Sequence, residues 1–157
     1  MATFTTKSTP QLIPDFKGQQ ELVGRWQLSV DGQVTGTYKS IGALRAGSLL
    51  NATSIRAHVD AAWNGTTPTF DVYLVPHTGG SAGTVDTTAF FPTSAITEGT
   101  TGIYYDTAAL VKTGGRNARL ATDCEVVVLG TFGAADNTTG DITFVIPFSH
   151  DLDPTSY

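Results

Sequence analysis

The sequence predicts an all-β fold: an antiparallel β-sandwich, jelly-roll-like, in one domain with an extended N-terminal arm. Three observations lead there. Apolar and polar residues alternate with period two in several short runs, the spacing that buries one strand face and wets the other. Clusters of Gly, Asn, Asp and Pro separate these runs, and none carries the 3.6-residue apolar spacing of an amphipathic helix. Threonine is abundant, as in Thr66-Thr67 and Thr100-Thr101, and its branched side chain suits a pleated surface. Seven to nine short strands between turn signals point to a sandwich or jelly roll rather than a βαβ fold.

Residues 1–20 read as an extended arm. Pro10 and Pro14 stand among polar residues, and the large apolar residues Phe4, Leu12, Ile13 and Phe16 follow no period. Such an arm has apolar surface to cover, against a neighbouring chain or its own domain. From Gly24, Trp26, Leu28 and Val30 alternate with Arg25, Gln27 and Ser29. Asp31-Gly32 then supplies a two-residue hairpin turn, and residues 33–41 the return strand. Thr53 to Trp63 gives the clearest strand, with Ile55, Ala57, Val59, Ala61 and Trp63 on one face and Ser54, Arg56, His58 and Asp60 on the other. After a loop over 64–69, Phe70, Val72 and Leu74 alternate with Asp71, Tyr73 and Val75 until Pro76, which stops the ladder. That makes a second hairpin.

Residues 77–102 read as a long surface loop with one or two short strands. Ile103 to Val111 is a strand or a short helix, ended by Gly114-Gly115. Glu125 to Phe132 is almost continuously apolar, as expected of a central strand covered on both faces. Residues 133–140 form a polar hairpin loop before the last strand, Asp141 to Phe148, which places Ile142, Phe144, Ile146 and Phe148 on one face. Pro147 has no N–H to donate, so this strand ends there or lies at an edge. The sandwich domain is thus residues 21–148, followed by a tail over 149–157.

Composition narrows the function. A chain of 157 residues buries roughly two-thirds of its unfolded surface without staples, so one core is expected. Charged residues are 15% of the chain against ~25% in average domains, which leaves Thr, Ser, Gly and Asn to cover the surface. A net charge of −5 gives no attraction to phosphate backbones or anionic lipid, so neither nucleic acid nor a membrane is an expected partner. The basic groups, Lys112 with Arg116 and Arg119, and Lys39 with Arg45, are too sparse to track a backbone and are expected to be loosely solvated. The N-terminal residues lack the apolar stretch of a signal peptide, and no apolar run reaches the ~20 residues of a membrane helix. Cys124 is the one cysteine, which excludes an intramolecular disulfide and a cysteine-based zinc site. Its strand-like surroundings read as a core or strand-edge thiol.

Candidate chemistry is thin. His58 and Asp60 are two apart on the polar face of one strand, close enough for one to orient the other. No nucleophile elbow or anion-stabilising group accompanies them, so a solvated strand face is the expectation. His77 sits in a loop after Pro76 and His150 beside Asp151; neither has metal-ligand spacing to another histidine. Asp136, Asn137 and Asp141 form one acidic loop and Asp151 with Asp153 another. Both could offer oxygen ligands to calcium, but Asp and Asn are also ordinary turn residues. Neither a cofactor nor a bound metal is expected. Asn51, Asn64 and Asn137 match the glycosylation sequon by chance in a Thr-rich chain. Trp26, Trp63, Tyr73, Tyr104 and Tyr105 could stack on sugar rings, although both tryptophans fall on apolar strand faces and are expected in the core. A carbohydrate-binding β-sandwich module is therefore the alternative reading.

Three stretches carry a resemblance: Ser54-Ile-Arg-Ala-His-Val-Asp-Ala-Ala-Trp, Thr69-Phe-Asp-Val-Tyr-Leu-Val-Pro and Thr139-Gly-Asp-Ile-Thr-Phe-Val-Ile-Pro-Phe. In their layout the chain resembles the small virion structural proteins of tailed bacteriophages, especially capsid decoration (cement) proteins. The resemblance implies a noncatalytic β-sandwich that forms a homo-oligomer, commonly a trimer, and binds the major capsid protein on the exterior of an icosahedral shell. It implies no catalytic residues. On this reading the arm and tail make the inter-subunit contacts, through Phe4, Leu12, Ile13, Phe16, Leu152 and Tyr157.

Overall fold

The computed structural model describes residues 19–50, 55–78, 81–82, 96–105 and 119–149. These build two antiparallel sheets facing one another. The first holds β1 (Gln19–Gln27), β9 (Asp141–Ser149), β4 (Arg56–Ala61) and β7 (Gly102–Tyr105) in that order, with the short β3 (Leu49–Leu50) beside β9. The second holds β2 (Thr37–Leu44), β8 (Asp123–Thr131), β5 (Thr69–Thr78) and β6 (Ser81–Ala82). Leu50 opposes Phe148 and Arg56 opposes Val145, so β3 and β4 follow one another along the same edge of β9 as a single interrupted strand. Counted so, eight strands fall into two four-stranded sheets in the jelly-roll arrangement, successive strands lying in opposite sheets except β5 and β6. The predicted all-β sandwich is the observed fold.

The predicted hairpins are not hairpins. β1 pairs with β9 and β2 with β8, so residues 28–36 carry the chain from one sheet to the other. The loops over 62–68 and 132–140 do the same, joining β4 to β5 and β8 to β9. Neighbouring strands in a sheet lie ~4.8 Å apart, but stacked sheets lie ~10 Å apart, a gap that a two-residue turn cannot bridge. Asp31-Gly32 accordingly closes a helical turn over Leu28–Asp31, where Gly32 at φ 72° bonds back to the Leu28 carbonyl. The turn breaks the alternation after Gln27: Leu28 still packs against the core, but Val30 points into solvent.

Two prolines were expected to stop strands and do not. Pro76 lies within β5, opposite Cys124 of β8, and β5 runs on to Thr78. On its other side β6 pairs only with His77 and Thr78, so no described strand needs a proline N–H there. Pro147 lies within β9, a strand paired on both sides. On the β1 side Glu21 opposes Pro147, whereas on the β3–β4 side no described residue is paired with Ile146 or Pro147. The proline occupies the interruption.

The core fills the space between the sheets. Leu22 and Trp26 from β1, Ala57 and Val59 from β4, and alternate residues of β9 meet Phe70, Val72 and Leu74 of β5 and Val126 and Val128 of β8. At one end the aromatic rings of Trp26, Trp63, Phe70 and Phe132 pack with centroids 5.3 to 6.0 Å apart, in edge-on and tilted geometry. Both tryptophans are therefore core residues, as their strand faces predicted. Cys124 is buried beside Leu44, and its thiol lies 3.4 Å from the Thr122 carbonyl. The expected central strand is β8, buried on both faces from Cys124 to Val128.

Candidate functional site

Each strand end of the first sheet has a distinct character. At one end, Gln19 pairs with Ser149 and Leu49 opposes the same residue. The first residue of β1 and the last of β9 are thus neighbours at this end of the sheet. The six residues expected to contact other subunits, Phe4, Leu12, Ile13, Phe16, Leu152 and Tyr157, lie outside the described residues. β1 begins at Gln19, inside the segment assigned to the arm, and β9 ends at Ser149, the first residue assigned to the tail.

The opposite end carries the three crossovers, laced together by side chains. Asn137 is buried and accepts a hydrogen bond from the Gly65 N–H at 2.7 Å while its amide donates to the Thr66 carbonyl and to Gln33 Oε1. Asn64 accepts from the Thr138 and Thr139 N–H groups and donates to Thr138 Oγ1. Thr35 caps the Phe132 N–H through Oγ1 at 2.8 Å. Asp136 takes the Thr66 backbone N–H and hydroxyl, both at 2.8 Å, and these two donors hold its carboxyl below the usual carboxylate range. Gly65 leaves no room there, since a Cβ would stand 2.6 Å from Asp136 Oδ1.

Asp141 forms an ion pair with Arg25, while Gln27 also donates to it. Asp136, Asn137 and Asp141 thus each accept hydrogen bonds from neighbouring loops or strands. Asp151 and Asp153 lie outside the described residues. Of the sequons, Asn137 is buried and Asn64 is engaged at both ends of its amide.

Among the described residues, the outer face of the first sheet carries charged groups and partly exposed apolar side chains. His58 accepts a hydrogen bond from Arg56 Nε at 3.2 Å, and Arg56 also reaches Glu21 at 3.0 Å. Asp60 accepts from the Thr143 hydroxyl at 2.7 Å. His58 and Asp60 are therefore each held by a different neighbour, in a row of charge pairs across the sheet. Three large apolar side chains share this face, Val23, Ile103 and Tyr105, exposed at 56%, 55% and 50%. The remaining candidate aromatics do not join Tyr105 in one platform. Tyr104 turns inward against the core and donates to the Thr100 carbonyl. Tyr73 lies on the second sheet, edge-on to Tyr38, and burial pushes its hydroxyl up from the ordinary tyrosine value.

Sequence reasoning missed two buried glutamates among the described residues, Glu98 and Glu125. Glu125 is 1% exposed on the outer face of the second sheet; its Oε2 lies 3.4 Å from His77 Nε2, and Oε1 has no hydrogen-bond partner among the described residues. His77 is thus a strand residue rather than a loop residue. The available signal was a glutamate opening an apolar run. Lys39 and Arg119 are not loosely solvated either: Lys39 Nζ bridges Asp31 and the Arg25 carbonyl across the sandwich edge, and Arg119 donates to the Gly47 carbonyl at 2.9 Å.

No described helix is long and apolar enough to cross a membrane. No family model matches the sequence, and no curated protein does. Two solved structures resemble the fold. One is a chain in the capsid of Ralstonia phage GP4, matched over 94% of this chain and 93% of that one, with 15% identity and a TM-score of 0.51. Another is a chain in the capsid asymmetric unit of cyanophage Pam1, covering 94% and 98%, with 15% identity and a TM-score of 0.47. In fold, from β1 to β9, this chain is similar to the GP4 capsid chain.

Proposed function

We propose that this protein is a noncatalytic structural component of a phage virion, and specifically a decoration protein that binds the major capsid protein on the exterior of the shell. It is made in the host cytoplasm and acts as a homo-oligomer, a trimer in this reading. One observation carries most of the weight: the fold likeness to a chain of the Ralstonia phage GP4 capsid covers 94% of this chain and 93% of that one. The geometry is in keeping. Gln19 and Ser149, the described residues next to the arm and the tail, pair with one another at one end of the sheet, and in this reading arm and tail grip a neighbour from there. The outer face beside them offers Val23, Ile103 and Tyr105 among charge pairs that are already satisfied. Modest contacts of this kind suffice when many copies sit on one particle.

Deleting residues 2–18 and measuring occupancy on undecorated capsids tests the arm. Loss of binding with an unchanged circular dichroism spectrum is the expected result. Full occupancy by the shortened chain would remove the arm from the account.

A further inference from the structure

Asn64-Gly65 sits at the loop-bearing end in a way that bears on its chemistry. An asparagine followed by glycine is prone to cyclise, because a glycine N–H carries no neighbouring Cβ to hinder its attack on the side-chain carbonyl carbon. Here both reacting groups are held by three consecutive residues of the β8–β9 loop. The nucleophile, Gly65 N, donates to Asn137 Oδ1 at 2.7 Å. The electrophile is held by the next two residues: Asn64 Oδ1 accepts from the Thr138 and Thr139 N–H groups at 2.9 and 3.1 Å, and Nδ2 donates to Thr138 Oγ1 at 2.8 Å.

We propose that Asn64 is a latched deamidation site, and that Asn137-Thr138-Thr139 form the latch that keeps it intact in the folded protein. When the latch opens, Gly65 N bonds to Asn64 Cγ, the Cγ–Nδ2 bond breaks, and the nitrogen leaves as ammonia with the proton given up by Gly65. Water then opens the five-membered imide at either carbonyl, giving aspartate or isoaspartate. The change runs one way. A carboxylate at residue 64 has no Nδ2–H for Thr138 Oγ1 and adds a negative charge close to Asp136, which holds the adjoining Thr66. Isoaspartate also lengthens the backbone by one methylene, which shifts Gly65 off Asn137. The site is therefore a record of how often this end of the sandwich has opened. It does not depend on the virion reading.

Mass spectrometry of peptides from full-length protein held at mildly alkaline pH tests this. Asn64 in the native chain is expected to exchange its amide for a carboxylate at least about tenfold more slowly than in the same chain unfolded in urea, a ratio equivalent to ~1.4 kcal/mol. Asn137→Ala, which frees the nucleophile, and Thr138→Val, which frees Nδ2, are each expected to raise the native rate several-fold. Equal native and unfolded rates would overturn the proposal, as would a folded Asn137→Ala or Thr138→Val chain no faster than wild type. If Asn137→Ala fails to fold, Thr138→Val and the native-to-unfolded comparison decide.

Discussion

At the scale of single residues, close packing and pairing set the sharpest expectations. A Cβ on Gly24 would overlap Ile41, and one on Gly42 would overlap Leu22, so β1 and β2 interlock through two glycines where the sheets meet. Gly24→Ala is expected to cost about 1–3 kcal/mol by overpacking, read as a lower midpoint in urea unfolding. Phe70 touches Trp26, Trp63, Phe132 and Phe144, and Phe70→Ala should cost about 3–5 kcal/mol. The buried Glu125 gives a two-step test. His77→Ala leaves the carboxylate without its described partner and should destabilise by about 1–3 kcal/mol, whereas adding Glu125→Leu should recover most of that loss. Asp136 sets a pH dependence. Its carboxyl titrates lower in the folded protein than in the unfolded chain, where Asp stands near about 3.9. Its contribution is thus complete above that value and is lost as the pH falls through the folded one. Asp136→Asn should flatten the acid limb of the stability profile; an unchanged limb would show that Thr66 does not hold the carboxylate.

At the scale of elements, period-two alternation located strands well and their partners poorly. Ile55, Ala57, Val59 and Trp63 are buried together as their spacing predicts, and β8 is covered on both faces as its unbroken apolar run predicts. Alternation reports which side of a strand is wet but not which sheet the strand joins, so all three hairpins were misread. The residues that reveal the crossovers are Gln33, Asn64 and Asn137, whose side chains bond from one loop to another and leave no local pattern. Two measurements separate a crossover from a hairpin. Replacing residues 133–140 by Asn-Gly would suit a hairpin but should abolish cooperative folding here, because two residues cannot span ~10 Å between sheets. Amide exchange should be slowest in β8 and β9, which are paired on both sides, and fastest in the short β6 and β7. Equal exchange in β9 and β7 would contradict this topology.

At the scale of the whole molecule, the fold class was legible from alternation, turn residues and threonine content, because these follow from burying one face of each sheet. The site was less legible. The residues expected to bind other subunits lie in the segments 1–18 and 150–157, outside the described residues. The surface that is described depends on long-range pairing: Val23 and Ile103 share one face only because β9 and β4 stand between β1 and β7. No sequence window brings those two together. In the proposed reading, the link from fold to function is the pairing of Gln19 with Ser149, the described residues next to arm and tail, beside a sheet face that exposes Val23, Ile103 and Tyr105. The most direct measurement of the proposed role is to mix the protein with undecorated capsid shells of the phage proposed to encode it and to image the particles by electron cryomicroscopy. The account predicts added density at icosahedrally repeated positions on the shell exterior, with the end of the sandwich holding Gln19 and Ser149 turned toward the capsid surface. Shells without added density at saturating protein would contradict it.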